Sequence, residues 1–547
     1  MHSRYTSSHA LFDVLSQAGV DRVFLVPGES YLGLLDALVD FAQIDTVTCR
    51  HEGGAGFMAV TDGRLTRRPG VALVSRGPGA SNATIAVHTA QQDAVPMILL
   101  IGQIAEKDLR REAFQEIDYQ QMFGSIAKWV FECRHPEQLG EAAAKAVRVA
   151  TSGVPGPVIL VVPEDIQQQE VEPAITSAQL QIAGIPDHRT RQSITDAINQ
   201  AQRPLIMAGG AFDVPGGREA LQAFAEHFQI PVILSFRRHD ILAHDHPLFI
   251  GTMGLANPAR QMALLEQCDF LLALGTRLGD ITTQNYVFPR YGRARQKLLH
   301  CYPDSRLIGW DTEADFPLVA DPVGFARAMT GHDASCEMRD QSWREALRAF
   351  HTEYVQWPAP RTLDDGLDFT QVVRAVMDHA TPDAMICLDA GTFAAPVYRY
   401  ASFIQERRLM APLAGAMGYG TPAALACALR YPKRQVICIA GDGGILMTGQ
   451  EMILAVERQL PIVMIVSCNG TYGSIRLHQE VHYPGRVSGT SLHNPDFAAM
   501  AESFGMRSLR LEHSRDINQT IAQAVREQGP VLIQVQSSLR AILPHTP

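Results

Sequence analysis

The sequence predicts an α/β protein of three doubly wound parallel-sheet domains, on three observations. Short β-rich apolar runs at 71–75, 97–101, 157–162, 204–208, 231–235, 270–274, 436–440, 462–467 and 531–535 alternate with helical patterns, and that alternation folds as parallel strands with helices on both faces. The 547 residues exceed a single core and suggest about three or four domains, at roughly 150 residues each. Two stretches read as linkers: the Gln-, Glu- and Pro-rich 167–188, and 331–366 with its PAPRT sequence. They leave units at 1–166, 190–330 and 367–537.

The first unit opens MHSRYTSSHALFDVLSQAGV, a short polar lead and an amphipathic helix without the apolar region of a signal peptide. No apolar run reaches the length of a membrane span. A cytoplasmic protein with no membrane partner is expected. Apolar residues are 46% and charged residues 19% of the chain, which excludes disordered, collagenous and coiled-coil classes. The formal net charge of −10 gives no global attraction for nucleic acid or anionic lipid, so no nucleic-acid partner is expected. The nine cysteines follow no C-x-x-C spacing. They indicate neither a zinc site nor a disulfide framework, and read as small core residues.

The third unit carries the strongest chemical signal. A strand at 436–440 runs into Gly441-Asp442-Gly443-Gly444, then a helix from about Thr448, a second strand at 462–467, and Asn469-Gly470-Thr471. Glycines let backbone N–H groups close on a diphosphate at a helix N-terminus. A carboxylate within that turn needs a cation between itself and the phosphates. Asp442 and Asn469, 27 positions apart, stand at the ends of two strands joined by one crossover. Both oxygens can therefore converge on one Mg²⁺ outside the carboxyl edge of the sheet. Hard oxygen ligands favour Mg²⁺ over zinc. A lone GDG would be read as a plain glycine turn, and the Asn at matching spacing tips the balance. Neither G-x-x-x-x-G-K-[ST] nor a clear G-x-G-x-x-G after a strand is present.

GDG followed by about two dozen residues and an Asn resembles the thiamine diphosphate signature, and other blocks agree. VPGE (26–29), CRHEGGAG (49–56), SRGPGASNA (75–83), REAFQEID (111–118), GAMGYGTPAA (415–424) and GDGG to NGTYG (441–473) resemble the acetolactate synthase and benzoylformate decarboxylase superfamily over essentially the whole length. The resemblance implies a pyrimidine-binding first domain, a Rossmann-like central domain and a diphosphate-binding third domain. It implies thiamine diphosphate and Mg²⁺ as cofactors, with Asp442, Asn469 and the Thr471 carbonyl on the metal. Glu52 matches the carboxylate that bonds N1′ of the aminopyrimidine and favours the tautomer whose N4′ acts as a base toward C2; a helix-start charge is its plain alternative. Met417 matches the apolar prop that bends the cofactor, and Gly415 the carbonyl that accepts from the 4′-amino group. Gly391, Thr392 and Phe393 match a second diphosphate loop, and Pro27, Gly441, Gly443, Gly444, Tyr472 and Gly473 complete the implied cofactor set. A homodimer or homotetramer with active sites at the interface is also implied.

The substrate positions depart from a standard synthase. Glu29 is either a carboxylate in the substrate chamber or a cap for the following helix. Arg76 is either a fork for a substrate carboxylate or the partner of Glu29, and the ion pair is preferred. Phe114 and Gln115 match the synthase pair on the substrate side, which implies a 2-oxo acid donor. His478 stands where synthases carry a Trp; it is either a catalytic proton relay or a surface histidine. The central unit lacks the synthases' flavin-binding stretches, which counts against FAD and leaves ADP or a CoA moiety as weaker alternatives. The implied activity is 2-oxo acid decarboxylation with carboligation of the enamine to a second carbonyl. A decarboxylase releasing an aldehyde is the runner-up, and a non-catalytic nucleotide-binding protein the reading from another class.

Overall fold

The computed structural model describes residues 5–173, 184–404 and 406–543. The first sheet is built from β1 (Arg22–Leu25), β2 (Asp45–Thr48), β3 (Gly70–Val74), β4 (Met97–Gln103), β5 (Trp129–Glu132) and β6 (Pro157–Pro163), in the order β2-β1-β3-β4-β6-β5. The central sheet takes β7 (Pro204–Ala208), β8 (Val232–Leu234), β9 (Phe249–Thr252), β10 (Phe270–Leu274), β12 (Lys297–Tyr302) and β14 (Phe316–Val319), in the order β14-β12-β10-β7-β8-β9. The short pair β11 (Gly292–Arg293) and β13 (Thr312–Glu313) stands apart. The third sheet holds β15 (Met385–Leu388), β16 (Arg408–Met410), β17 (Val436–Gly441), β18 (Ile462–Cys468), β19 (Arg507–Leu511) and β20 (Val531–Gln536), ordered β16-β15-β17-β18-β20-β19. Every strand pair in the three sheets is parallel.

Counted within each domain, the first and third sheets share one order, 2-1-3-4-6-5. The central sheet has the dinucleotide-fold order 3-2-1-4-5-6. Both faces of each sheet are covered, which is why the strands read as unbroken apolar runs. On β3, Val71 and Leu73 enter one core while Ala72 and Val74 enter another. That second core also takes Cys438 and Ala440 of β17, so the outer two domains share a core inside one chain. Its seam is the helix Glu52–Thr66 packed on Gly420–Arg430. The Thr61 hydroxyl donates to Tyr419 Oη across 2.9 Å, and Arg430 pairs with Asp62 and Asp21 at 2.8 Å.

Two expectations are corrected. The helix after GDGG begins at Asp442 itself and runs to Thr448. The glycines sit in its first turn because a Cβ on Gly443 would lie 2.4 Å from Tyr472, and one on Gly444 2.7 Å from Asp389; tertiary crowding outweighs their helix cost of about 1 kcal/mol each. The segment 331–366 is not merely a linker. It contains the helix Gln341–Tyr354, capped by Asp340, whose Trp343, Leu347 and Phe350 are buried, with Trp343 and Leu347 in a core of the central sheet. Residues 174–183 of the other expected linker lie outside the described residues. All nine cysteines are free, and all but Cys336 are buried.

Candidate active site

The third sheet presents its carboxyl ends at a switch in strand order between β15 and β17, where ligands of such sheets bind. Register places Gly441 opposite Ser467, which delivers Asp442 and Asn469 side by side. The cleft here is lined by Gly391, Thr392 and Phe393 after β15, by Gly415 and Met417, and by 441–444 after β17. Asn469, Thr471, Tyr472 and Gly473 after β18 close the remaining side. Positive φ at Gly415 (+65°) and Gly418 (+83°) turns the chain back on itself around Met417.

Asp442 is 3% exposed. Its Oδ2 accepts from the backbone N–H of Asn469 at 3.0 Å and Gly470 at 2.8 Å, and from Asn494 Nδ2 at 2.8 Å. Asn494 Oδ1 is buried with no partner among the described residues. An orphaned amide oxygen beside a buried carboxylate suits a hard cation. Among the described residues no three His, Cys, Asp or Glu side chains are grouped to hold a metal alone. Phe393 and Tyr472 serve as ring walls: Phe393 fills the space a Cβ on Gly391 or Gly441 would need.

Beneath this cleft lies Asp389, a residue sequence reasoning missed although it stands two residues before Gly391. It is 1% exposed and accepts from the N–H of Ala390 at 2.6 Å and Gly418 at 2.9 Å, so it ties the β15 loop to the Met417 turn. Burial pushes its carboxyl up to about 7. Asn494 was also missed, and its signal is the HNPD stretch two dozen residues past Asn469.

The first domain carries a separate half-site. Glu52 is the first residue of its helix, with His51 as the cap, and Asn82 donates Nδ2 to Glu52 Oε2 at 2.9 Å. Asn82 lies within SRGPGASNA but was not singled out. Glu451 accepts from the N–H of Arg50 and His51 at 3.0 and 2.9 Å; burial pushes it up to about 7, with the nearby Glu52 adding to the shift. Pro27, on the loop after β1, and Glu29, the first residue of the short 3₁₀ helix Glu29–Tyr31, are exposed. Arg76 does not pair with Glu29: its Nη1 meets Glu164 at 3.1 Å, because β6 leads straight into Glu164 beside β4. Phe114 is 78% exposed. Gln115 holds φ +65° above Gly77, where a Cβ would lie 2.9 Å from it.

The lining of the third-domain cleft is drawn from 361–542. Glu52, Pro27, Glu29, Arg76, Phe114 and Gln115 do not reach it within one chain. Neither does His478, exposed on the helix Gly473–His482 and stacked on His482 at 6.0 Å; Ile475, three residues earlier, lines the wall instead.

A larger cavity of about 780 Å³ opens at the carboxyl ends of β7 and β10, the switch point of the central sheet, beside Gly210, Gly275 and Arg277. Arg238 lines it, donating Nη2 to the Asp93 carboxylate at 3.3 Å, while its Nε and Nη1 are buried without partners among the described residues. Unsatisfied guanidinium N–H groups suit an anion such as a nucleotide diphosphate.

Three family models match along the chain: the thiamine pyrophosphate enzyme N-terminal TPP binding domain at 5–122, the central domain at 191–329, and the C-terminal TPP binding domain at 389–535. The chain belongs to the thiamine pyrophosphate enzyme family. It is 30% identical to the probable acetolactate synthase large subunit of Methanocaldococcus jannaschii, with 99% of this chain and 93% of the relative covered. To the acetolactate synthase isozyme 1 large subunit of Escherichia coli it is 30% identical over 97% and 94%. The Lactococcus lactis large subunit is 27% identical over 99% and 94%. The protein is an acetolactate synthase-like enzyme of this family. Among the described residues, no helix is long and apolar enough to cross a membrane.

Proposed function

We propose that the protein is a thiamine diphosphate- and Mg²⁺-dependent carboligase that decarboxylates a small 2-oxo acid and joins the remaining fragment to a second carbonyl. The observation carrying this reading is the cleft at Asp442 and Asn469, with the orphaned Asn494 oxygen behind it, in a chain aligned end to end with acetolactate synthases. When bound, thiamine diphosphate would supply the electron sink that lets a 2-oxo acid lose CO₂.

The chain's own residues hold and orient. Asp442, Asn469 and the Thr471 carbonyl would hold Mg²⁺, and the N–H groups of 441–444 and 391–393 would bind the diphosphate. Met417 props the bend. Glu52 holds a proton at N1′ of the pyrimidine, kept in place by Asn82. Since Glu52 and the diphosphate cleft stand apart in one chain, a second copy completes each site. Exposed Ile85, Phe114, Leu446, Met447 and Ile475, around the two half-sites, supply apolar surface for that contact. Phe114 and Gln115 then face the donor. The central cavity is assigned to a nucleotide diphosphate such as ADP rather than to FAD; a purified protein yellow at 450 nm reverses that assignment.

A proton NMR time course with thiamine diphosphate, Mg²⁺ and pyruvate tests the reading. Acetolactate or another 2-hydroxy ketone is expected, and free aldehyde as sole product would overturn the carboligase assignment. Glu52→Gln is expected to lose turnover by at least about 10²-fold while still binding the cofactor in a calorimetric titration. Retained turnover would remove Glu52 from the mechanism.

A further inference from the structure

A third cavity, of about 190 Å³, lies outside both sites described above, where the central domain, the helix Gln341–Tyr354 and the helix Ala395–Tyr400 meet. Three imidazoles line it, His239, His244 and His351, together with the guanidinium groups of Arg348 and Arg399. No carboxylate is found on its wall among the described residues.

The polar groups there are incompletely used. His239 is 2% exposed and directs Nε2 to the Tyr398 carbonyl at 3.1 Å, while its Nδ1 is buried without a partner among the described residues. His244 spends Nε2 on the His239 carbonyl at 2.7 Å and stacks on Phe249 at 4.2 Å. The His351 ring meets Phe249 edge-on at 4.9 Å. Arg348 uses Nη1 on the Phe249 carbonyl at 2.6 Å, and Arg399 lies 4.2 Å over the Tyr354 ring. The wall thus combines two fixed positive charges, a vacant ring nitrogen and aromatic faces.

From that arrangement we infer that the cavity binds a small organic carboxylate. The guanidinium groups supply the charge for the head. Phe249, Tyr354 and Val355 supply apolar surface for a short carbon tail, which an inorganic anion would leave unused. The volume is below the roughly 300 Å³ of ordinary ligand pockets, which limits the acid to a few carbons. The location also matters: Pro396, on the same six-residue helix as Tyr398 and Arg399, lines the cofactor cleft.

Proton linkage gives the site a signature. Burial pushes His239 and His351 down to about 4 and His244 to about 3, so the rings are neutral at pH 7. The charged groups facing them are Arg237 and Asp240 toward His239, Asp240 toward His244, and Arg348 toward His351. Asp245 faces Arg348, and Asp240 is already paired with Arg218 and Arg408. An added carboxylate raises the pKa of the ring it touches. Binding therefore takes up protons, and affinity rises as pH falls.

The test is saturation-transfer NMR on the full chain with thiamine diphosphate and Mg²⁺ present. The probe is propionate, which has no carbonyl to react at C2, with propionamide and inorganic phosphate as competitors. Propionate is expected to bind, no more weakly at pH 6 than at pH 7.5, and to be displaced by neither competitor at equal concentration. Arg399→Met, an exposed position, and His351→Gln are each expected to weaken binding about tenfold with cofactor affinity unchanged. If His351→Gln fails to fold, Arg399→Met decides alone. Absence of binding, equal affinity in Arg399→Met, or displacement by propionamide or phosphate overturns the proposal.

Discussion

Asp442 accepts four hydrogen bonds at its helix start, three of them from neutral N–H donors that converge on Oδ2. Removing the carboxylate removes the only ionised ligand assigned to Mg²⁺. Asp442→Ala is therefore expected to weaken cofactor binding at least tenfold in a titration with Mg²⁺ present; unchanged affinity would refute the metal assignment. Glu451 gives a pH-dependent counterpart. Its folded carboxyl is up at about 7, above the usual unfolded value near 4.3, so the native state holds its proton more tightly. That contribution is present below about pH 4, declines as pH rises, and is lost above about pH 7. Glu451→Gln is expected to flatten the fall in melting temperature between pH 4.5 and 7.

At the scale of elements, the helix Gln341–Tyr354 shows why composition alone misread 331–366. PAPRT marks a true break, but Asp340 followed by Trp343, Leu347 and Phe350 at helical spacing was the overlooked pattern. Leu347 is 2% exposed, and Leu347→Ala is expected to cost about 2–5 kcal/mol, read as a lowered denaturation midpoint. A surface linker would show no such loss. The crossover after GDGG is the reverse case. A glycine-rich turn reads as loop, yet Tyr472 and Asp389 occupy the space of two Cβ atoms and admit only glycine into that first helical turn. Short strands such as β1, β2 and β16, of three or four residues, escaped notice because they contain too few residues to show a period.

Across the whole molecule, the three domains meet at a buried ionic junction. Asp213 of the central domain lies between Arg64 of the first and Arg408 of the third, with Arg67 and Arg218 adding to it. These arginines hold its carboxyl well below the usual range. Its stabilising effect is therefore present above about pH 4 and lost as pH falls below that. Asp213→Ala leaves Arg64 and Arg408 without this carboxylate and is expected to cost about 3–5 kcal/mol, seen as loss of cooperativity between domains in calorimetric unfolding. A change below 1 kcal/mol would show that the junction is dispensable.

The sequence by itself determined the class of fold, through the alternation of runs that two-sided burial imposes, and the family, through motifs whose spacing is set by strand ends. It brought Asp442 and Asn469 together as well, because they follow adjacent parallel strands and register alone sets them side by side. Tertiary structure decided what depends on distant partners. Glu164 rather than Glu29 takes Arg76; Asn82 orients Glu52; Asn494 donates to Asp442; and the outer two domains share a core that keeps Glu52 away from its own chain's cleft. HNPD marks Asn494 in the sequence, but which ion pair or side-chain amide forms is chosen by where separate elements pack, and that is settled only when the sheets assemble.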